Sequence, residues 1–474
     1  MSVHKTAVHF VSAAAFVVTG LVTGPAHSQS VGDEEMAIEE IVVTVRKREE
    51  SILTVPISIA TLSGEQMIEM GVDDLFGIAS FTPNVAFQDF GNGQMGLPTI
   101  RGMGQTTVLG RENATGIFVN GIFISDENAF DIDMLDIARV EMARGPQSSL
   151  YGRNTFAGAI NFVPATATEE FAGKVLASIG TDEFYELSGF VGGPIGDRVG
   201  LRVAAGYKTF DGTFDNPANP SDNLQGWETW NISTALNWHI TDDFRAQLFA
   251  YYLDDQNEQT ANHLLDNNCG DFPAFGMPTG FPAYFCGDLP FKEGSELGVN
   301  GAGISPEAFG AQREALITSL DLEWQIGRVT LSWLTGFVDS DNNMTFDSDF
   351  SNGYPFAIGN TGVPPFAGIQ SDTLLTDHFT TFVSETEDWS SEFRVAFDGG
   401  RYRFMLGGFY YDHELVRKAA LGIDSDGSKE IMPPGFFFTN PGAFLLQTPD
   451  PVNNPVPAQG FTDTTEDLAV FGSF

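Results

Sequence analysis

The sequence has no hydrophobic run long enough to cross a bilayer as a helix. Its most apolar stretch, residues 10–22, falls short of the ~20 residues that a membrane-spanning helix needs. Lys5 precedes this stretch, and Ala26-His27-Ser28 follows it with the small residues of a cleavage site. This pattern predicts a secretory signal peptide over residues 1–28. An exported chain without a membrane helix is a soluble periplasmic protein, a secreted protein or a β-barrel.

Cysteine is also scarce, because the chain contains only Cys269 and Cys286. They form no Cys-x-x-Cys motif, and no histidine spacing nearby completes a zinc site. In the oxidising compartment of an exported chain, we expect the two to form a disulfide that stabilises a loop by ~3 kcal/mol. A metal or redox role is the alternative, and no residue spacing supports it.

Histidine and basic residues are few. Three of the seven histidines lie in the predicted signal peptide, and the others form no metal-binding motif. A Gly-x-Ser-x-Gly nucleophile elbow is missing as well, so the sequence predicts no enzyme, no resident metal and no cofactor. The 63 acidic residues outnumber the 23 basic ones, giving a net charge of −40. This charge argues against nucleic-acid binding and indicates a solvated acidic surface, or one that attracts cations or basic ligands.

Glycine and aromatic residues are plentiful. The chain has 52 glycines and 12% aromatic residues over a length of 474, which favours two or three units with many strands and tight turns. Residues 55–67 predict a strand followed by a capped helix start. Residues 74–80 predict a short helix, and Asn120-Gly121 predicts the turn of a β-hairpin.

Three motifs follow one another between residues 100 and 164. Ile100-Arg101-Gly102 comes first, the Asn120-Gly121 hairpin second, and a stretch with Arg-Val-Glu-Met-Ala-Arg-Gly-Pro, Leu-Tyr-Gly and Gly-Ala-Ile-Asn third. Together they resemble the plug domain of TonB-dependent outer-membrane receptors. The resemblance implies an α+β plug over residues 51–166 ahead of an antiparallel transmembrane β-barrel. The plug motif residues are Arg101, Gly102, Arg139, Glu141, Arg144, Gly145, Tyr151, Gly152, Gly158 and Asn161.

Residues 29–50, called the arm below, are polar apart from one apolar island. The island is followed by Arg46-Lys47-Arg48. Taken alone it is a short β-prone segment, but its place between signal peptide and plug resembles a TonB box, with Val45 where the family often has alanine. Such a segment binds by adding a strand to the edge of its partner's sheet. The resemblance therefore implies that TonB binds Glu40, Ile41, Val42, Val43, Thr44 and Val45.

The arginines of the plug motifs accompany Glu141. A domain inside a barrel needs paired charges, and arginine binds carboxylates through two parallel hydrogen bonds. We interpret these arginines as ion-pair partners within the plug or on the barrel wall, where they set how readily the plug is displaced. Contact with a solute is the alternative.

Residues 170–474 alternate polar and apolar side chains with the period of two that strands require. In residues 198–208, 230–239, 392–398 and 401–410 the apolar residues share one face, and the charged residues lie on the other. This predicts membrane strands with lipid outside and a wet lumen inside. Aromatic residues near the strand ends suit an interfacial girdle, namely Trp230, Trp238, Trp324 and Tyr402.

The predicted connections between strands differ in length at the two ends of the sheet. Short connections at 193–197, 241–243, 327–328 and 399–400 alternate with long ones at about 209–226, 254–313, 340–385 and 413–464. Outer-membrane barrels have this asymmetry, and a soluble sandwich does not. We find roughly ten strands, whereas a plugged transporter has about 22. We therefore expect residues 170–474 to be the N-terminal part of a barrel in a truncated sequence.

The resemblance implies TonB-dependent import of a scarce solute across the outer membrane. Its partners would be TonB, outer-membrane lipid and a small-molecule or metal-chelate cargo. A ferric siderophore is the expected cargo, and cobalamin, an oligosaccharide or another chelate are alternatives. A passive porin is an alternative of a different class, against which the plug and the TonB box argue.

Overall fold

The computed structural model describes residues 42–44, 47, 50–53, 55–72, 74–88, 97–104, 113–126, 136–216, 223–261, 308, 310–347, 356–357, 374–375, 377–424 and 459–474. The predicted signal peptide and disulfide, and Glu40, Ile41 and Val45 of the predicted TonB box, lie outside these residues. No helix within them is long and apolar enough to cross a membrane.

The arm and the plug consist of short elements. The strands are β1 (Val42–Val43), β2 (Glu50–Ser51), β3 (Ser58–Ser63), β4 (Val85–Gln88), β5 (Leu97–Ile100), β6 (Thr115–Val119), β7 (Ile122–Ile124), β8 (Ile137–Arg144) and β9 (Gly158–Pro164). The helices are α1 (Gly64–Met70), α2 (Leu75–Phe81) and α3 (Ser148–Tyr151). Five of the strands form one mixed sheet in the order β3-β8-β9-β6-β7, in which β6 and β9 are parallel.

Local chemistry accounts for the ends of these elements. At the start of α1, the Ser63 hydroxyl accepts the Gln66 amide at 3.1 Å and the Gln66 side chain accepts the Ser63 amide at 3.0 Å, which is the predicted capping box. Asp74 caps α2 by accepting the Gly77 amide at 2.6 Å. The Asn120-Gly121 turn joins β6 to β7 with φ of 50° and 79°, values that glycine and asparagine tolerate best. The predicted hairpin is confirmed.

The second sheet has ten antiparallel strands, each paired with its neighbours in sequence. They are β10 (Ala172–Ile179), β11 (Tyr185–Pro194), β12 (Val199–Phe210), β15 (Trp227–His239), β16 (Phe244–Asn257), β17 (Gly310–Ile326), β18 (Val329–Asp347), β21 (Asp377–Asp398), β22 (Arg403–Asp424) and β23 (Gln459–Ser473). Two-stranded ribbons in the connections contain β13 (Phe214–Asp215), β14 (Asn223–Leu224), β19 (Phe356–Ala357) and β20 (Leu374–Leu375). The predicted fold class, an α+β plug followed by part of an antiparallel barrel sheet, is confirmed.

Three of the long connections are shorter than predicted. They span residues 258–309, 348–376 and 425–458, because β16, β17, β18, β21, β22 and β23 extend further than the alternation of apolar residues suggests. For example, Asp339, Asp341 and Asn343 lie within β18 and pair with β21. Strand pairing needs only backbone groups, so it continues where both faces are polar.

The two faces of the ten-stranded sheet have different environments. On β15, Thr229, Asn231 and Ser233 are buried, while Trp230 and Ile232 between them are exposed. The predicted girdle residues Trp230, Trp238, Trp324 and Tyr402 are between 47% and 56% exposed. The buried face contacts the plug, whose core residues Ile117, Val140 and Ile160 belong to one hydrophobic cluster with Phe249, Ile317 and Val338 of the sheet.

Gly158 permits the close packing of β9 on β8. A Cβ atom at this position would lie 2.4 Å from the Ala143 carbonyl oxygen and 2.7 Å from Ile100 Cδ1. We expect Gly158→Ala to lower the free energy of unfolding of the plug by about 1–3 kcal/mol, the usual cost of overpacking. The measurement is the urea concentration at which the plug becomes sensitive to protease. Gly408→Ala is the control, because a Cβ there has no neighbour within 4 Å, and equal shifts for both variants would contradict the expectation.

Candidate functional site between the arm, the plug and the sheet

The start of the described chain forms a short two-stranded ribbon where the arm meets the plug. Val42–Val43 lies antiparallel to Glu50–Ser51, and the Lys47 amide donates to the Thr44 carbonyl at 2.7 Å. Val43 is 1% exposed. Residues of the predicted TonB box are thus held against the rest of the protein.

Thr44 binds the plug through Glu141. Both the amide and the hydroxyl of Thr44 donate to the Glu141 carboxylate, at 3.0–3.1 Å. Arg139 Nε donates to the same carboxylate at 2.7 Å, since residues two apart on β8 share a face. The Glu141 side chain is 0% exposed. A buried carboxylate needs such partners, and the arm supplies two of its donors.

Lys47 binds the ten-stranded sheet. Its ammonium forms an ion pair with Glu392 on β21, and both side chains are largely buried, at 14% and 6% exposure. Arg394 Nη1 donates to the Lys47 carbonyl at 2.6 Å, and Arg394 Nε lies 3.4 Å from Glu392 Oε1. Two residues of one strand therefore hold both the side chain and the backbone of Lys47.

Aromatic rings surround the Lys47 ammonium. Nζ lies 4.8 Å from the ring centroid of Phe471 on β23 and 5.4 Å from that of Tyr151 in the plug, both within cation–π range.

Burial lowers the pKa of Lys47, and the Glu392 carboxylate opposes that shift. Burial, together with the nearby Glu141 and Glu392, raises the pKa of Tyr151, so its phenol stays neutral.

A cavity of about 420 Å³ adjoins Thr44 and Lys47. It lies between the plug and strands β15, β16, β17, β18 and β21. The side chains around it are mixed in charge, including Arg139, Arg245, Arg394, Asp321, Glu323 and Glu392. The arm therefore forms part of the wall of a polar space between plug and sheet.

Four further contacts join the plug to the sheet. Arg202 of β12 donates to both carboxylate oxygens of Asp136, from Nε at 2.8 Å and 3.0 Å. The other three link Asn120 Nδ2 to Ser319 Oγ at 2.9 Å, Ser340 Oγ to Asp126 at 3.0 Å, and Arg153 Nη1 to Asp467 at 3.0 Å. Hydrogen bonds and ion pairs to the sheet are thus distributed around the plug, and Arg153 of the predicted motif region forms one of them.

A serine, an aspartate and a histidine also meet between plug and sheet. Asp388 accepts the Ser125 hydroxyl and His413 Nδ1, each at 2.6 Å, and the Tyr411 hydroxyl at 2.9 Å. Ser125 Oγ is 3.4 Å from the same His413 nitrogen. A nucleophile relay needs the histidine to contact serine and aspartate through different nitrogens. This arrangement has the geometry of a structural contact rather than of that relay.

The predicted plug motif residues occupy two places. Arg139, Tyr151 and Asn161 line the cavity, and Glu141 is bound to Arg139. Asn161 Oδ1 accepts the Gly121 amide at 3.1 Å. The remaining six lie away from the cavity. The Arg101 amide donates to the Asn84 carbonyl at 2.9 Å, and Arg144 Nη1 donates to the Pro83 carbonyl at 3.1 Å. Gly102, Gly145, Gly152 and Gly158 lie in the turns and strands beside them.

Lys47, Glu392, Arg394 and Asp388 are absent from the predicted site. Three of them have a partial signal in the sequence, and Asp388 has none. Lys47 belongs to the basic group after the apolar island, and Glu392 and Arg394 lie on the charged face of their strand. The sequence holds no sign that these residues meet.

A family model described as the TonB-dependent receptor plug domain matches residues 51–159. Among curated proteins, the chain is 24% identical over 231 residues to a vitamin B12 transporter from Photobacterium profundum, covering 49% of this chain and 38% of that protein.

Solved structures share the fold. The ferripyoverdine receptor of Pseudomonas aeruginosa is similar with a TM-score of 0.60 at 14% identity, covering 91% of this chain and 51% of the receptor. The ferric yersiniabactin uptake receptor of Yersinia pestis is similar with a TM-score of 0.53 at 14% identity, covering 88% and 61%. The chain thus spans between 38% and 61% of the length of these proteins.

Proposed function

We propose that the chain is part of a TonB-dependent receptor, an outer-membrane β-barrel protein, and that this protein imports a scarce solute across that membrane. The main support for this proposal is that the arm is bound to the plug through Thr44 and to the sheet through Lys47. A segment with β-strand character stored in this way is suited to release and to pairing with a partner's sheet.

In the proposed mechanism the arm transmits force from TonB to the plug. Once the arm is released, residues 40–45 pair with TonB as an added strand, whose main-chain bonds provide affinity. A pull on Thr44 then acts at Glu141, which lies on β8 between β3 and β9 of the plug sheet. Displacement of this sheet would widen the cavity beside it. No covalent step and no resident cofactor is needed, so we propose a transporter rather than an enzyme.

The outer face of the ten-stranded sheet is the proposed contact with lipid. Its exposed aromatic and aliphatic side chains include Trp230, Trp238, Trp324, Tyr402 and Leu406. Amphipathic rings favour the boundary between hydrocarbon and water. The same residues would be unfavourable on the surface of a soluble protein.

We propose a ferric siderophore as cargo. Two structures with this fold, named above, are receptors for iron chelates. Cobalamin is the second candidate, since a curated relative is a vitamin B12 transporter. The uptake test therefore also includes an oligosaccharide and another metal chelate.

The test is uptake by cells that produce the complete protein and lack their own receptors. We expect uptake of radiolabelled iron from ferric siderophores to require both TonB and the proton gradient. Labelled cobalamin and oligosaccharides distinguish the other cargoes. Uptake that persists unchanged without TonB would contradict the proposal and indicate a passive pore.

A further inference from the structure

We propose that strand β7 (Ile122–Ile124) is the gate of the cargo route through the protein. It separates two spaces that lie between plug and sheet, and its withdrawal from the sheet joins them while the central plug strands stay paired. This inference rests on the proposed function and deepens it by assigning the route to one side of the plug.

The two spaces lie at opposite ends of β7. The cavity of about 420 Å³ described above, called the large space below, adjoins the hairpin turn at Asn120 and Gly121. A second cavity of about 30 Å³, the small space, adjoins Ser125 and Asp126 just after the strand and is bordered by β21, β22 and β23. It has room for about two water molecules. Both spaces are lined mostly by polar side chains, and three residues of one strand separate them.

The two spaces follow one another along the sheet. On β21, Thr386 lines the small space and Glu392 lines the large one, while Asp388 between them accepts the Ser125 hydroxyl at 2.6 Å. Thr386 and Glu392 are six residues apart, about 20 Å along a strand. Thr386 lies nearer the long connection before β21, and Glu392 nearer the short turn after it. Long connections face the outside in outer-membrane barrels, so the order from outside to periplasm is small space, β7, large space.

Apolar packing closes the gap between β7 and the sheet. Ile122 and Ile124 are 3% and 0% exposed and belong to one hydrophobic cluster with Ile317 and Val338 of the sheet. Ile122 lies against Gly336 of β18, where an added Cβ atom would be 2.5 Å from both Ile122 Cδ1 and Ile122 Cγ1. The absence of a side chain at position 336 therefore lets β7 pack directly on the sheet and interrupt the passage between the two polar spaces.

β7 is also the most weakly paired edge of the plug sheet. It is joined to β6 alone, by three residue pairs, whereas β3 at the other edge has six pairs with β8. Local opening of a fold uses elements with few such bonds. Three polar contacts bind the ends of the hairpin strand to the sheet, namely Asn120 with Ser319, Ser125 with Asp388, and Asp126 with Ser340. The plug members of these pairs border the two spaces, where water can replace the lost partners.

The first experiment forces β7 away from the sheet and measures the resulting leak. The complete protein is placed in a planar lipid bilayer without TonB, and its conductance is measured in potassium chloride. We expect Gly336→Ala to raise the conductance about tenfold, because overpacking disfavours the closed state and a tenfold shift corresponds to ~1.4 kcal/mol. An unchanged conductance would overturn the gate.

Two further variants show whether the leak comes from β7. Gly408→Ala adds the same methyl group to another strand of the sheet, where no atom lies within 4 Å of it, and we expect no leak. Gly336→Ala combined with Ile122→Ala removes the atoms that meet the new methyl group, so the conductance is expected to fall toward its original value. A general loss of folding would not be reversed in this way. Equal leaks in the two alanine variants, or a leak that the double variant keeps, would reject the gate.

Cysteine labelling tests whether β7 leaves without the rest of the plug. Ile124 of β7 and Met142 of β8 are both 0% exposed, so Ile124→Cys or Met142→Cys reacts with a maleimide only after opening. With Gly336→Ala present, we expect faster labelling at position 124 and unchanged labelling at position 142. Protein without these substitutions corrects for labelling of Cys269 and Cys286. Equal acceleration at both positions would mean that the whole plug opens, which contradicts a local gate.

A covalent bridge between β7 and the sheet is expected to stop import. In Asp126→Cys with Ser340→Cys, whose original side chains are 3.0 Å apart, a short reducible reagent links the two thiols. We expect TonB-dependent uptake of labelled iron from ferric siderophores to stop in bridged protein and to return after reduction. Each chain is its own control, because only the bridge differs between the two forms.

The two kinds of measurement separate the gate from the proposed function. Energised uptake that continues in bridged protein would reject the gate and leave TonB-dependent import intact. A leak in Gly336→Ala that the double variant closes, together with no energised uptake by the unchanged protein, would support the gate and reject the proposed import.

Discussion

Replacing Val43 by proline is expected to reduce energised uptake to the level of cells without TonB, while cargo still binds at the cell surface. Proline has no amide hydrogen and cannot donate to a neighbouring strand. If the arm binds TonB by strand addition, loss of one main-chain bond of about 1.4 kcal/mol lowers affinity about tenfold, and the ring also distorts the pairing on both sides. The measurement is uptake of labelled cargo beside its equilibrium binding.

Val43→Ala is the matched control, because it removes most of the side chain but keeps the amide. We expect uptake by this variant to stay close to that of the unchanged protein. If the alanine and proline variants lose uptake equally, side-chain recognition rather than strand addition would govern TonB binding. If both import normally, residues 40–45 are not the segment that TonB binds.

Removing Arg202 is expected to cause the largest loss of stability at the boundary between plug and sheet. The Arg202 and Asp136 side chains are 8% and 6% exposed, and the guanidinium also lies 3.5 Å from the Phe190 ring centroid. Arg202→Ala leaves a buried carboxylate without this cation, a change that typically costs about 3–5 kcal/mol. The expected result is that the plug becomes protease-sensitive at a lower urea concentration.

Two comparisons isolate the cause. Arg198→Ala breaks a pair with Asp242 whose side chains are 52% and 94% exposed, so we expect almost no change. The double variant Arg202→Met with Asp136→Asn removes both buried charges and keeps a residue that tolerates the φ of 64° at position 136, so most of the lost stability should return. A double variant as unstable as Arg202→Ala would show that packing against Phe190, rather than the buried charge, stabilises the contact.

Several features of the fold could be predicted because they depend on residues close together in the chain. The capping box of α1 involves Ser63 and Gln66, three positions apart, and the hairpin turn depends on Asn120 and Gly121 alone. The inner and outer faces of the sheet follow from the period of two. The resemblance, carried by contiguous motifs, implied the plug and its position ahead of the sheet.

The lengths of the strands were predicted less well. Alternation of apolar residues marks where one face of a strand meets an apolar environment, and it stops where the two faces no longer differ in polarity. Backbone pairing between β21 and β22 continues to Asp377 and Asp424, because neighbouring strands supply hydrogen bonds whatever their side chains are. The end of an amphipathic pattern is therefore not the end of a strand.

The sequence by itself determined the local elements, the two faces of the sheet, the plug motifs and the candidate TonB-binding segment. Only the tertiary structure decided which charges meet. Lys47 and Glu392 are 345 positions apart, and Thr44 and Glu141 are 97 apart. Such pairs depend on the register of each strand against the next, where a shift of one residue turns a side chain to the other face. The site of the arm is thus a product of that register and of the packing of the plug on the sheet.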